Sequence, residues 1–268
     1  MKNSKAMLVI LSLLFVTACT NEVENVSEAT SLSKVESVEE VESQLSEREK
    51  LEEQLIATPD AHSSDWNLIL VNNDHILTED LDFEKFQSAS GEVMDARIAE
   101  DFSRMISDGE AQGLSFILES GYRSFGYQQD IYNSVYNKNL QDSSTSEEAI
   151  QKTEAYIAIP GSSEHMTGLA LDITEPSLHH IENGLIEEFE DTTEGQWLHS
   201  HAPEYGFVLR YPRDKEDDID VNYESWHFRY VGVENAKYMQ ENDLVLEEYI
   251  EQLQHNESIR QAIADLEE

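Results

Sequence analysis

The chain has 268 residues, 39% of them hydrophobic, and carries 56 acidic against 17 basic side chains for a formal net charge of -39. That apolar content suffices for one core of ordinary size. The charge argues against nucleic-acid binding, which needs clustered Lys and Arg, and against a polybasic attachment to an anionic membrane; it reads as a heavily solvated surface.

The N-terminus has the order of a targeting segment. Lys2 and Lys5 form a basic start, Met7 to Val16 is an apolar run too short for a comfortable membrane span, and small residues follow. Val16-Thr17-Ala18-Cys19 resembles a bacterial lipobox. Residues 1–18 are therefore expected to be a lipoprotein signal peptide and Cys19 the lipidated residue. The alternative is an ordinary secreted protein with a stray cysteine. Cys19 is the only cysteine, which rules out an intrachain disulfide. Residues 20 to 60 are rich in Glu, Ser and Val and lack Gly and aromatic residues. With Cys19 they read as an acidic tether, 19–60, partly helical between Lys34 and Ile56. As a flexible coil, it reaches roughly 30–40 Å.

The domain is expected over 61–240. Trp66 to Asn72 is apolar and β-prone and stops at the turn Asn72-Asn73-Asp74. Apolar residues at 94, 98, 102, 105 and 106 have helical spacing, with Gly113 as a stop. Leu114 to Ser120 reads as a buried strand, and Gly121-Tyr122-Arg123-Ser124 follows it. A helical pattern resumes over Tyr127 to Tyr136, and Ser146-Glu147-Glu148 starts another short helix. Gly168 to Ile173 reads as a strand, Gly195 to His201 as a helix, and Tyr205 to Pro212 and Glu224 to Tyr230 as strands. Glu234 onward looks helical, and 241–268 is expected as an acidic helical extension. Strands and helices mix without a βαβ rhythm, so the fold class is α+β with a mainly antiparallel central sheet flanked by helices.

Two stretches hold the residue types of a metal site. Ser163 to Asp172 contains His165 and Asp172; Glu224-Ser225-Trp226-His227 contains a second His and a further carboxylate. Two imidazoles and a carboxylate make a three-ligand zinc set with a fourth position for water, and a carboxylate beside that water could take its proton. His62, His75 and His255 are isolated, and His179, His180, His199 and His201 lie in polar stretches without a carboxylate partner, so these read as surface or rim residues.

Ser163-x-His165-x-x-Gly168-x-Ala170-x-Asp172 and Glu224-x-Trp226-His227-x-Arg229 resemble the two signatures of the VanY-type D-alanyl-D-alanine carboxypeptidases, zinc peptidases that also include the VanX-type dipeptidases. Ser120-Gly121-Tyr122-Arg123-Ser124 with Gln128, Trp66 to Asn72, and Tyr205 to Pro212 are similar to further stretches of that family. The resemblance implies one Zn2+ held by His165, Asp172 and His227, with Glu224 as catalytic base. It implies that Arg123 steadies the substrate's carbonyl or terminal carboxylate, and that Ser163 and Gln128 bind the C-terminal residue of the substrate. Ser163 could instead be a turn residue, and Ser124 could serve only as a helix cap. Trp226 and Tyr122 are expected to wall the pocket, and Arg229 to pair with a carboxylate.

The expectation is a lipid-anchored monomer on the extracytoplasmic face of a bacterial membrane, removing the terminal D-alanine from peptidoglycan stem peptides. The alternatives are an L,D-carboxypeptidase acting on tetrapeptide stems, a non-catalytic cell-wall-binding lipoprotein, and an assembly protein whose tail from Leu244 docks a partner.

Overall fold

In chain order the described elements are β1 (Lys85–Gln87), β2 (Val93–Asp95), α1 (Ala99–Glu110), β3 (Ile117–Ser120), α2 (Phe125–Gln141), α3 (Ser146–Glu154), β4 (Ala170–Thr174), α4 (Thr193–His201), β5 (Phe207–Leu209), β6 (His227–Tyr230), α5 (Val233–Glu241) and α6 (Leu246–Asp265), with short 3-10 turns between them. This computed structural model describes residues 47–181, 184–215, 219 and 221–266. The expected signal peptide, Cys19 and the tether up to residue 46 lie outside the described residues. From Leu51 onward the chain forms one unit, so residues 51–60, which composition assigns to the tether, fold with the domain. Of the other unit, residues 47–50 are described, and they are helical.

β3, β4, β6 and β5 pair in that order into one antiparallel sheet, and β1 and β2 form a separate antiparallel hairpin. Successive strand residues face opposite sides, and the sequence exploits this. Leu171 and Ile173 of β4, Phe207 of β5, and Phe228 and Tyr230 of β6 join one core cluster with Met105 of α1 and Leu198 of α4. The alternate residues of β4 and β6, Asp172, His227 and Arg229, point the other way. Register does the rest: Asp172 lies opposite Ser120 on one side and His227 on the other. Residues directly opposite in a ladder share a face with Cβ atoms ~5 Å apart, so the pairing alone sets these side chains together.

A second cluster joins Leu68, Val208 and Val231 to Ala236 and Met239 of α5 and to Leu246, Tyr249, Ile250 and Leu253 of α6. The expected acidic extension is thus helical, as read, and one face of it is buried. The helix after Glu234 is interrupted: α5 ends at Glu241, Asp243 takes a positive φ of 53°, and α6 restarts at Leu246. Glu248 reaches back to the Val245 amide at 2.9 Å, capping α6. The segment just after residue 50 is clipped to this helix. Asn256, fully buried, takes the Ile56 amide at 2.9 Å and gives a hydrogen bond to the Ile56 carbonyl at 2.8 Å, while Glu257 accepts the amide and hydroxyl of Ser63.

Three element readings need correction. Trp66 to Asn72 is irregular, not a strand: the Arg229 guanidinium takes the carbonyls of Asn67 and Ile69, and Asn72 closes a turn with His75, so these groups do not join a ladder. Met94 belongs to β2, and the helix begins only at Ala99 because Asp95 caps a 3-10 turn over Ala96–Ile98. Lys85 to Gln87, all exposed, forms a strand that no apolar pattern announces.

Candidate active site

His165 sits on a 3-10 turn, Glu164–Thr167, that Gly168 ends at φ 71°. Its Nδ1–H donates to the Gly121 carbonyl at 2.7 Å, which fixes the tautomer and leaves Nε2 facing Asp172 Oδ2 at 3.2 Å. Gly121 must be a glycine, since a Cβ there would run into the Val93 carbonyl oxygen. From the sheet, His227 brings Nδ1 to 3.1 Å from Asp172 Oδ1 and donates its Nε2–H to Glu164 Oε2 at 3.4 Å. The ligating atoms of His165, Asp172 and His227 all lie within 4.8 Å of one another, and all three residues are buried. Each imidazole therefore keeps one nitrogen for a metal while its other nitrogen is held by an acceptor. Two His and one Asp are a zinc donor set, and the fit is complete: this site takes one Zn2+.

The electrostatics favour a cation. Burial opposes ionisation of Asp172, yet His165 and His227 hold it well below the usual carboxylate range. Burial also opposes charge on His227, but hydrogen bonds to Asp172 and Glu164 outweigh it and raise the imidazole to about 9. Desolvation and the nearby Arg123 lower His165, keeping it a neutral ligand. Glu224 Oε2 lies 3.5 Å from His227 Nδ1, on the rim, with its side chain 26% exposed. Burial pushes this carboxyl up to about 7, against the pull of His227.

Arg123 faces the same atoms. Its Nη2 donates to Asp172 Oδ2 at 3.0 Å, its Nε and Nη2 to Ser120 Oγ, and its amide to the His165 carbonyl. Gln128 is buried; Nε2 donates to the Ala158 carbonyl, and Oε1 is without a protein partner. Ser163 is buried, and its backbone carbonyl accepts the Met166 amide. Ser124 caps α2 through Oγ and the Tyr127 amide, as the capping alternative expects. Trp226 packs on the core cluster, and its carbonyl accepts the Ile173 N–H.

A family model described as "VanY: D-alanyl-D-alanine carboxypeptidase" matches residues 91–233, more than half of the chain. The chain belongs to the VanY family. A D-alanyl-D-alanine carboxypeptidase of Enterococcus faecalis (strain ATCC 700802 / V583) is 34% identical over 204 residues, covering 75% of this chain and 73% of that protein. A crystal structure of a point mutant of the vancomycin-resistance D,D-pentapeptidase VanY, from a VanB-type resistance cassette and in complex with Zn(II), matches at TM-score 0.61 and 35% identity, covering 69% of this chain and 99% of that one. The LdcB LD-carboxypeptidase matches at TM-score 0.55 and 32% identity, covering 70% and 87%. The chemistry of this VanY-family chain is that of a zinc metallo-carboxypeptidase.

What the sequence does not announce lies behind the ligands. Glu164, fully buried, accepts Arg210 Nε at 2.7 Å and Arg229 Nη1 at 2.8 Å on Oε1 while serving His227 with Oε2. Arg229 does pair with a carboxylate, as expected, but Glu164 and Arg210 have no role in the two signatures. The signal that could have found them is an arginine inside each of two apolar strand stretches, Val208-Leu209-Arg210 and Phe228-Arg229-Tyr230. A charge there is buried and demands a partner. His199, read as a rim residue, donates Nε2–H to the Ser225 carbonyl at 2.8 Å and braces the turn between Glu224 and His227.

Proposed function

We propose that this protein is a D,D-carboxypeptidase that removes the terminal D-alanine from peptidoglycan stem peptides, acting as a monomer held by lipid on Cys19 at the outer face of a bacterial membrane. One observation carries the catalytic reading: Glu224 and Arg123 both reach the atoms of the His165–Asp172–His227 set, from two different elements. The family description and the enterococcal relative's name supply the substrate class.

Zinc held by those three side chains supplies a Lewis acid for the scissile carbonyl and makes water nucleophilic near neutral pH. The protein's own groups do the rest. Glu224 Oε2 accepts the proton from the attacking water and returns it to the amine of the departing D-alanine. The Arg123 fork, anchored by Ser120, offers planar donors to the substrate's carbonyl or terminal carboxylate. Gln128, which the family resemblance sets at the substrate's C-terminal residue, is buried here and held through Nε2 on the Ala158 carbonyl.

A soluble protein and a synthetic pentapeptide stem test the reading. D-Alanine is expected from the pentapeptide, and none after chelation. Release only from a tetrapeptide stem would move the enzyme to the L,D class, a reading that the likeness to the LdcB LD-carboxypeptidase favours. For the anchor, Cys19→Ala is expected to shift the protein from the membrane pellet to the soluble fraction. A variant that stays in the pellet defeats the lipid assignment.

A further inference from the structure

Among the described residues no hydrogen bond or ion pair joins the C-terminal helix α6 to the three ligands, whose side-chain partners lie elsewhere, and Glu247 lies beyond residue 233, where the family match ends. Yet Glu247 closes the charge network behind one ligand. Its carboxylate binds Arg210 in a fork, Oε2 to Nη1 at 2.9 Å and Oε1 to Nη2 at 2.6 Å. Arg210, 1% exposed at its side chain, turns its remaining Nε to Glu164, and Glu164 holds His227. Glu247 is 18% exposed and is itself steadied by Asn72 Nδ2 at 3.1 Å.

We propose that Glu247 is a positioning residue for zinc, acting on ligand His227 through Arg210 and Glu164. The inference rests on the metal-site reading above and carries it out to the C-terminal helix. Two guanidiniums and two carboxylates form a neutral set: Arg210 and Arg229 against Glu164 and Glu247. In that balance Glu164 shares Oε1 between two arginines and still has a charged Oε2 for the His227 Nε2–H. Without the Glu247 charge, Arg210 leans wholly on Glu164. The oxygen facing His227 is then a weaker acceptor, and the imidazole a weaker donor at Nδ1. Outer groups of this kind orient a ligand and raise its basicity. The placement of Glu247 is built in, because it occupies the first turn of α6, fixed by the Glu248 cap and by buried Leu246 and Tyr249.

The zinc affinity of the full chain, measured by competition with a chromophoric chelator beside thermal melting, tests this. Direct outer partners are worth about 10–100-fold in metal affinity. Two links further out, Glu247→Gln is expected to raise the zinc Kd about 5- to 10-fold, and Glu247→Asp, which keeps the charge but draws it back from the Arg210 fork, about 3-fold. Leu253→Ala on the apolar face of α6 lowers the melting temperature and leaves the zinc Kd within about twofold. A Glu247→Gln protein within twofold of wild type overturns the proposal, as does Leu253→Ala weakening zinc equally. Should Glu247→Gln fail to fold, Glu247→Asp decides: zinc weakened more than twofold with melting near wild type supports the proposal, and unchanged zinc overturns it. His227→Ala separates the two readings. If it keeps full zinc affinity, the metal site itself is wrong; if it loses zinc while Glu247→Gln does not, only the Glu247 assignment falls.

Discussion

Replacing Glu224 by Ala is expected to lower kcat by about three orders of magnitude while one zinc remains bound. A positioned acid–base group contributes ~10²–10⁴-fold, and Glu224 is the carboxylate that faces the ligand atoms without being one of the three ligands. Zinc is retained because Glu224 lies outside the Glu164–Arg210–Arg229 set that orients His227. A pH profile sharpens the test. Burial raises Glu224 to about 7, and only its ionised form accepts a proton, so kcat/KM climbs with pH as the group deprotonates. The charge of bound zinc favours the carboxylate, so this acid limb lies at or below about 7. The limb should vanish in Glu224→Ala. Activity within tenfold of wild type, or zinc lost together with activity, would sink the assignment. Single-turnover release of D-alanine and metal analysis of the same sample decide it.

The largest stability effect is expected at Glu164. Glu164→Gln should destabilise the domain by about 3–5 kcal/mol, the usual consequence of removing one partner from a buried ion pair, which is roughly a 10 °C fall in Tm for a domain of this size. Two buried guanidiniums would then face one carboxylate, and the new amide would present a donor to the His227 Nε2–H. Zinc affinity should fall about 10–100-fold. The pH dependence has a definite sign. Burial opposes the Glu164 charge, but Arg210 and Arg229 overcome it, so folding lowers its pKa. The stability it carries is complete above the unfolded carboxylate range, about 4.3, and is lost progressively as pH falls from there through the folded value. The gap between wild type and variant therefore narrows steadily once pH falls below about 4.3. Equal melting temperatures at pH 7 would refute this account.

The ligands were legible because each stands in a short local pattern: His165 and Asp172 flank Gly168, and His227 follows Glu224 by three residues. The strand carrying Asp172 was legible too, since Ala-Leu-Asp-Ile-Thr is buried on both faces and reads as an apolar run. The network behind the ligands was not, because it joins positions 164, 210, 229 and 247, which no local period links. Glu164 beside a ligand His looks like any solvated acid, and Glu247 lies in a segment with so many acids that none stands out. Trp66 to Asn72 misled for a related reason: its composition suits a strand, but the partner for its carbonyls is the Arg229 side chain. The pairings that set Asp172 opposite Ser120 and His227 depend on register, which composition leaves open.

The clip between Ile56 and Asn256 spans 200 residues of sequence, and the Ser63 to Glu257 contact spans 194. Both use the last helix, which also supplies the fork on Arg210. Chains are made from the N-terminus, and contacts this distant in sequence form late. Until residues 246–257 have been made, Arg210 lacks both hydrogen bonds of that fork, and Ile56 and Ser63 lack the partners that clip them to the helix. Assembly therefore has a built-in order: the support behind the zinc ligands is complete only once residues 246–257 have been made, and a chain cut short before Leu246 lacks the helix that closes the Arg210 fork.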